Sequence, residues 1–246
     1  MKADHFDQQK LLTLAAEDVA LGQLAHRRRT LPENAAVQTA TGSERELAAA
    51  VVRAETEVRD LQREVKRLEG DVETVRARVT RDQGLLDSGS VSAKQMTDLQ
   101  HEMQSLARRK SDLEDQELEL MEQLETAEAT LAEAQQGHET AKADLERAEQ
   151  LRDDALADIA DGTARHEAAR TEAAAGIPAD LLALYERIRT QTGGTGAAVL
   201  KARQCQGCRI ELNGRELAAV RNADPHEVVR CENCGRILVR TAESGL

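Results

Sequence analysis

From Leu47 to Val79 the apolar residues recur at intervals that alternate between four and three: Leu47, Val51, Ala54, Val58, Leu61, Val65, Leu68, Val72, Val75 and Val79. Such a stripe is the a/d seam of a heptad repeat, and it needs a partner helix to cover it. A second series runs Met96, Leu99, Met103, Leu106, then Leu113, Leu120, Leu124, Ala127, Leu131, Ala134, Ala141, Leu145 and Ala148. Lys110, Glu117 and His138 fall at seam positions of that series; polar residues there weaken packing but help fix register. After Ala148 the spacing of Leu151, Leu156 and Ile159 predicts a phase slip, either a stammer or a change of partner.

Between the two series lies Asp87-Ser88-Gly89-Ser90-Val91-Ser92. Gly89 and the serines break a helix, and Ser92 suits the N-cap of a returning one. A turn this short favours antiparallel neighbours. Residues 3–86 would form an outbound arm and 93–173 a return arm, nearly matched in length. At about 1.5 Å per residue the extended hairpin would reach on the order of 120 Å. An intermolecular parallel coil is the competing arrangement, and the matched arms and the Ser/Gly turn favour the intramolecular hairpin. Within the outbound arm, residues 3–29 read as helix and Leu31-Pro32 interrupts. A further break is expected at Thr41-Gly42-Ser43, with Ser43 and Glu46 as a capping box.

A new segment begins at Gly176-Ile177-Pro178, where Pro178 suits a first helical turn. Leu181, Leu184, Tyr185 and Ile188 share one face, and Gly193-Gly194-Thr195-Gly196 ends the segment. The expected organisation is therefore mainly α. Residues 1–175 form a long antiparallel coiled-coil hairpin with its turn at 87–92. Residues 176–196 form a linker helix and Gly-rich loop, and 197–246 a small β-rich zinc ribbon.

Composition agrees. Phe6 and Tyr185 are the only aromatics, Trp is absent, and 32% of the 246 residues are charged. Long helices that bury a narrow seam have this make-up. The formal charge of −12 is uneven: residues 197–246 hold 8 Lys+Arg and 6 Asp+Glu, or +2, and residues 1–196 hold 25 and 39, or −14. An acidic coil is a poor match for nucleic acid along its length. No apolar stretch is long enough to span a membrane, and the polar start does not read as a signal peptide. Four cysteines without secretion signals point to a reducing cytoplasm with the thiols on a metal.

Those cysteines form two pairs, Cys205-x-x-Cys208 and Cys231-x-x-Cys234, separated by 22 residues. Each pair makes a knuckle that points two sulfurs at one centre, and two knuckles complete a tetrahedral four-sulfur site suited to one Zn²⁺ per chain. Strands are expected near 197–202, 227–231 and 236–240, with a short helix at 214–221 capped by Asn213. A filled four-thiolate site has no open position for substrate, so the metal is structural and supplies folding energy. Two redox dithiols and iron in place of zinc are the alternatives; the first lacks the expected βαβ context, while sulfur ligation alone does not exclude the second. Lys201 and the four arginines Arg203, Arg209, Arg230 and Arg236 surround the knuckles. They either balance the site's formal −2 or contact phosphate or an acidic partner. Ribbon and coil are expected to have separate cores.

Elsewhere, His26-Arg27-Arg28-Arg29 and Arg108-Arg109-Lys110 are dense basic runs, which on helices are usually solvated faces. Asp82 and Asp87 near the turn are similar to the acidic tip of coiled-coil transcription regulators that enter RNA polymerase. No HExxH motif, phosphate loop or nucleophile elbow is present, so an enzyme is not expected.

The segments "LLDSGSVSAKQMTDLQHEMQSLARR" (85–109), "IPADLLALYERIR" (177–189), "CQGC" (205–208) and "CENCGRILVR" (231–240) carry a resemblance across nearly the whole chain. It resembles the bacterial family of coiled-coil hairpin proteins with a C-terminal C4-type zinc ribbon. The resemblance implies a cytoplasmic binding or chaperone-like protein, with some relatives linked to flagellar or type III secretion assembly through protein partners and, in one branch, RNA. It also implies Cys205, Cys208, Cys231 and Cys234 as the metal ligands. The expected function is a non-enzymatic zinc-binding adaptor that engages a protein through coil and ribbon. The alternative is a nucleic-acid-binding or transcription-associated factor using the basic ribbon, with binding expected to be weak.

Overall fold

The computed structural model describes all 246 residues. Helix α1 spans His5–Arg29, opened by Asp4, whose side chain accepts from the Phe6 amide. It stops before Leu31-Pro32, and α2 then runs Glu33–Asp87. The break expected at residues 41–43 does not occur: α2 passes through Gly42, and Ser43 caps nothing. One glycine inside a helix costs only about 1 kcal/mol relative to alanine. Thr41 satisfies its hydroxyl within the helix on the Val37 carbonyl.

The expected turn forms. Gly89 adopts φ +64°, the left-handed conformation glycine takes at no steric penalty. The return helix α3, Ala93–Ala175, starts with a reciprocal box: the Gln95 side chain accepts from the Ser92 amide, and Gln95 N–H donates to Ser92 Oγ. Leu68 and Val72 of α2 close on Leu113 of α3 as the firmest part of the seam. The antiparallel hairpin is thus intramolecular.

Its register departs from the expected one. The two apolar series would place Val79 near Met96 and Leu47 near Leu131. Instead Leu47 packs beside Gly137, six residues further along α3. Glu44 lies 3.0 Å from His138, and Arg78 pairs with Glu102. Residues 92–98 are all exposed. Sequence could not show this register, because a heptad seam accepts several that differ by a turn or two.

The phase slip after Ala148 is also absent. Ala141, Leu145, Ala148, Arg152, Ala155, Ile159, Gly162 and His166 continue the alternation of four and three and are all at least half-buried, while Leu151 is exposed. Arg152, Gly162 and His166 occupy seam positions, which hid the continuity from a reading by apolar residues. The partner does change: Ala155 and Ile159 pack with Leu31 and Leu24 of the first segment.

Contacts group the chain into two compact units. One is the hairpin portion, Glu33–Gln150. It holds 15 Lys+Arg and 27 Asp+Glu, so it carries the whole −12; the other residues hold 18 of each. The second unit gathers Met1–Pro32 with Leu151–Leu246. Segments far apart in sequence meet in it, unlike the linear division at residues 175 and 196.

In this second unit lies α4 (Ala179–Thr192). Leu181, Tyr185 and Ile188 are buried with Leu11 and Leu14 of α1. Strands β1 (Ala197–Lys201), β2 (Gln204–Cys205) and β3 (Ile237–Val239) form a sheet in the order β2-β1-β3; β1 and β3 are parallel and β1 and β2 antiparallel. Helix α5, Gly214–Asn222, carries the Asn213–Glu216 capping box. The strand expected at 227–231 is reduced to an isolated bridge at Arg230 and one at Glu227, the latter with Lys2.

The sheet is buried on both faces. Ala197, Ile237 and Val239 face α1 and α4. Ala198, Leu200 and Leu238 face the cysteines and α5. Strand alternation thus serves two cores at once: the ribbon keeps a core of its own around the cysteines, but its other face is shared with α1 and α4 rather than separate from them as expected. Gly196 lets β1 begin against α4: a β-carbon there would lie 2.3 Å from the Tyr185 carbonyl.

Candidate metal centre

The first knuckle grows out of β2. Cys205 N–H donates to the Ile210 carbonyl and Arg209 N–H to the Cys205 carbonyl. The second repeats the pattern: Cys231 N–H donates to the Arg236 carbonyl and Gly235 N–H to the Cys231 carbonyl. The residue after the second cysteine is left-handed in both, with Arg209 at φ 60° and Gly235 at φ 72°. These turns aim four thiols at one point. Cys205 Sγ is 3.9 Å from Cys234 Sγ, Cys208 Sγ is 3.9 Å from Cys231 Sγ, and all four sulfurs lie within 4.8 Å of one another.

Zinc bonded to sulfur at about 2.3 Å in a tetrahedron separates its ligands by about 3.8 Å. The observed edges fit that geometry and are far too long for disulfides, about 2.05 Å. The protein thus carries a site for one structural Zn²⁺, held by Cys205, Cys208, Cys231 and Cys234. Burial pushes the Cys205 thiol up to about 12 and also raises Cys231. Burial acts on Cys234 in the same sense, but hydrogen bonds from the Arg236 amide and guanidinium outweigh it and bring that thiol down to about 7. Forming buried thiolates is unfavourable without a cation, so metal loading releases protons.

The four arginines divide into two pairs. Arg236 is half-buried, and its Nε donates to the Thr195 carbonyl and hydroxyl. It lies across the first knuckle: a β-carbon at Gly207 would come within 2.7 Å of Arg236 Cδ and 2.9 Å of Ala198 Cβ. Arg230 donates from Nε to the Gly235 carbonyl. Both brace the knuckles. Arg203 and Arg209 are exposed on left-handed backbone, and no ion pair engages either. Lys201 pairs with Glu243.

Several structural residues carried no sequence signal. Arg240 donates to the carbonyls of Val220, Ala223, Asp224, Pro225 and Glu227, fastening the loop after α5. Ala202 and Arg203 form a tight β1–β2 turn with both φ values positive, where asparagine and glycine are usual. Residues 243–245 hold it: Ala202 and Arg203 donate to the Glu243 and Ser244 carbonyls, and the buried Ser244 hydroxyl donates to Leu200. Asp18 is wholly buried; it accepts from Tyr185 Oη at 2.5 Å and from Arg170 Nε at 2.7 Å. Arg189 Nε stands 2.8 Å from the same carboxylate as an ion pair, without hydrogen-bond alignment.

Of the remaining expectations, Asp82 is buried in the seam and only Asp87 is exposed, so the turn does not present an acidic pair. Arg108 and Arg109 are exposed, and Lys110 pairs with Glu114. No helix is long and apolar enough to cross a membrane.

Comparison with known proteins yields two family matches. The family model of the CT398-like coiled coil hairpin domain matches residues 14–193, and that of the C4-type zinc ribbon domain matches 204–238. A solved structure from Mycobacterium smegmatis is 35% identical, covers 98% of this chain and 100% of its own, and superposes with a TM-score of 0.85. CT398 from Chlamydia trachomatis shares the fold at 18% identity and a TM-score of 0.65, over 96% of this chain and 98% of its own. Two uncharacterised proteins of Mycobacterium tuberculosis are 43% identical over 76 residues; the match spans 31% of this chain and 31% of theirs.

Proposed function

Because the chain belongs to the family of CT398-like coiled-coil hairpin proteins and carries a C4-type zinc ribbon after the hairpin, we propose that it is a non-enzymatic adaptor or chaperone-like protein. It engages a protein partner in the cytoplasm through its helical surfaces and its ribbon. The observation that carries this reading is the chemistry of the metal centre. The four cysteine sulfurs, placed within 4.8 Å of one another, would fill a tetrahedral zinc and leave no coordination position for a substrate or an activated water. The protein's offer to the cell is then surface. The family resemblance, which implies a binding or chaperone-like protein, supports a role in assembling other proteins.

A second reading, nucleic-acid binding at the ribbon, is favoured by the free guanidinium groups of Arg203 and Arg209. Against it, Tyr185 is buried and Phe6, the other aromatic, lies in α1. Base stacking, on which single-strand recognition usually relies, thus has no platform in the ribbon. The test is affinity capture on the zinc-loaded full chain from native cytoplasm, with and without nuclease. The adaptor reading expects a defined protein retained in stoichiometric amount after nuclease. Loss of every protein upon nuclease treatment would overturn it in favour of the second reading.

A further inference from the structure

The second unit contains an open cleft of about 1210 Å³ between α1, α3 and the end of α4, and no contact within the chain fills it. Its α1 wall is one helical stripe: Asp18, Leu21, Gly22, Ala25, then Arg28 and Arg29. Leu21, Leu24 and Leu156 are half-buried along the floor, and Ile159 closes its base. Gly22 sits mid-helix, yet a β-carbon there would meet nothing within 4 Å. Glycine costs a helix about 1 kcal/mol relative to alanine, and no neighbour in this chain requires it. The space it leaves opens into the cleft.

Charge gives the cleft a direction. Arg28 and Arg29 are exposed, and neither enters an ion pair. They suit the C-terminal end of α1, whose dipole favours cations, but that does not account for the apolar floor beside them. Of the two acids in the lining, Asp18 is wholly buried against Arg170, Arg189 and Tyr185. Glu167 is the remaining acid, on the α3 wall. Aliphatic side chains on the floor and carboxylates against the two guanidinium groups would satisfy the cleft together.

We propose that this cleft docks an acidic amphipathic segment of a partner protein, placing aliphatic side chains over Gly22 and carboxylates on Arg28 and Arg29. The proposal rests on the adaptor reading and assigns it a site. A nucleic acid fits less well, since the floor is aliphatic and offers no aromatic for stacking.

The test uses a displayed library of random 16-residue peptides selected against the zinc-loaded full chain. Sequences with aliphatic residues beside Asp or Glu should be enriched. Their affinity should fall at least tenfold in the double variant R28E/R29E and in Gly22→Leu, which places a side chain over the cleft floor. Gly22 has open space around it, so Gly22→Leu should keep the wild-type circular dichroism and zinc content and read occupancy of the cleft alone. No enrichment, enrichment of basic sequences, or binding unchanged in both variants overturns the proposal. So does a single-stranded oligonucleotide that binds with sub-micromolar affinity and is lost in the same variants. Capture of a defined protein that Gly22→Leu leaves intact would sink the cleft but not the adaptor reading. Failure of capture altogether would sink the adaptor reading.

Discussion

Single residues set the geometry of the metal centre. Arg209 and Gly235 occupy equivalent left-handed positions, but only glycine does so without steric conflict. Arg209→Gly should therefore stabilise the zinc-loaded protein by about 0.5–1 kcal/mol, less than the full left-handed penalty because glycine also loosens the unfolded chain. A thermal melt with and without the substitution reads this. Gly207→Ala should act in the opposite sense, because its new methyl meets Arg236 and Ala198. Tyr185 supplies a pH signature. Burial, then its bond to the Asp18 carboxylate, raises the phenol's pKa above the usual 10. The contribution is present below pH 10 and is lost as pH climbs above it, because the unfolded phenol ionises first. Tyr185→Phe should lower stability near neutrality by about 1–3 kcal/mol, since Asp18 loses a donor. It should also flatten the loss of stability above pH 10. An alkaline series of denaturant melts checks both, and an unchanged slope would remove Tyr185 as its source. The cysteine ligands were legible because their spacing states the chemistry. The network on Asp18 was not: an aspartate on α1, a tyrosine on α4 and an arginine on α3 carry no mutual pattern until the chain is folded.

At the scale of elements, the two long helices and their turn followed from heptad spacing and from Gly89 and Ser92. Their continuity did not. Gly42 looked like a break, and Arg152, Gly162 and His166 concealed an unbroken seam, because a long helix tolerates isolated poor residues when its neighbours keep their bonds. If α2 is continuous, Gly42→Ala should raise stability by up to about 1 kcal/mol, as at any exposed helical glycine with room around it. A neutral or destabilising result would restore the break. The register is checked with cysteine pairs and a short bifunctional maleimide. The pair at 47 and 137 should crosslink within one chain, and the pair at 79 and 96 should not. The reverse outcome would favour the register expected from the two apolar series.

For the whole molecule, the decisive feature is a sheet with two buried faces. The ribbon was expected to be self-contained, since its ligand spacing describes a small unit. In fact Ala197, Ile237 and Val239 complete a core with Leu11, Leu14, Leu181 and Tyr185. Alternation in AAVLK and RILVR marks a strand with two apolar faces, but nothing in sequence says what lies beyond the second face. Zinc therefore stabilises the second unit as a whole, and the metal's binding energy is coupled to the packing of α1 and α4. Hydrogen exchange, followed by mass spectrometry before and after zinc is removed with a strong chelator, tests this most directly. Loss of protection is expected in the knuckles and strands and also in residues 5–18 and 179–192, while residues 54–72 and 113–127 of the hairpin keep theirs. Protection lost only within residues 197–246, with α1 and α4 unchanged, would contradict the shared core.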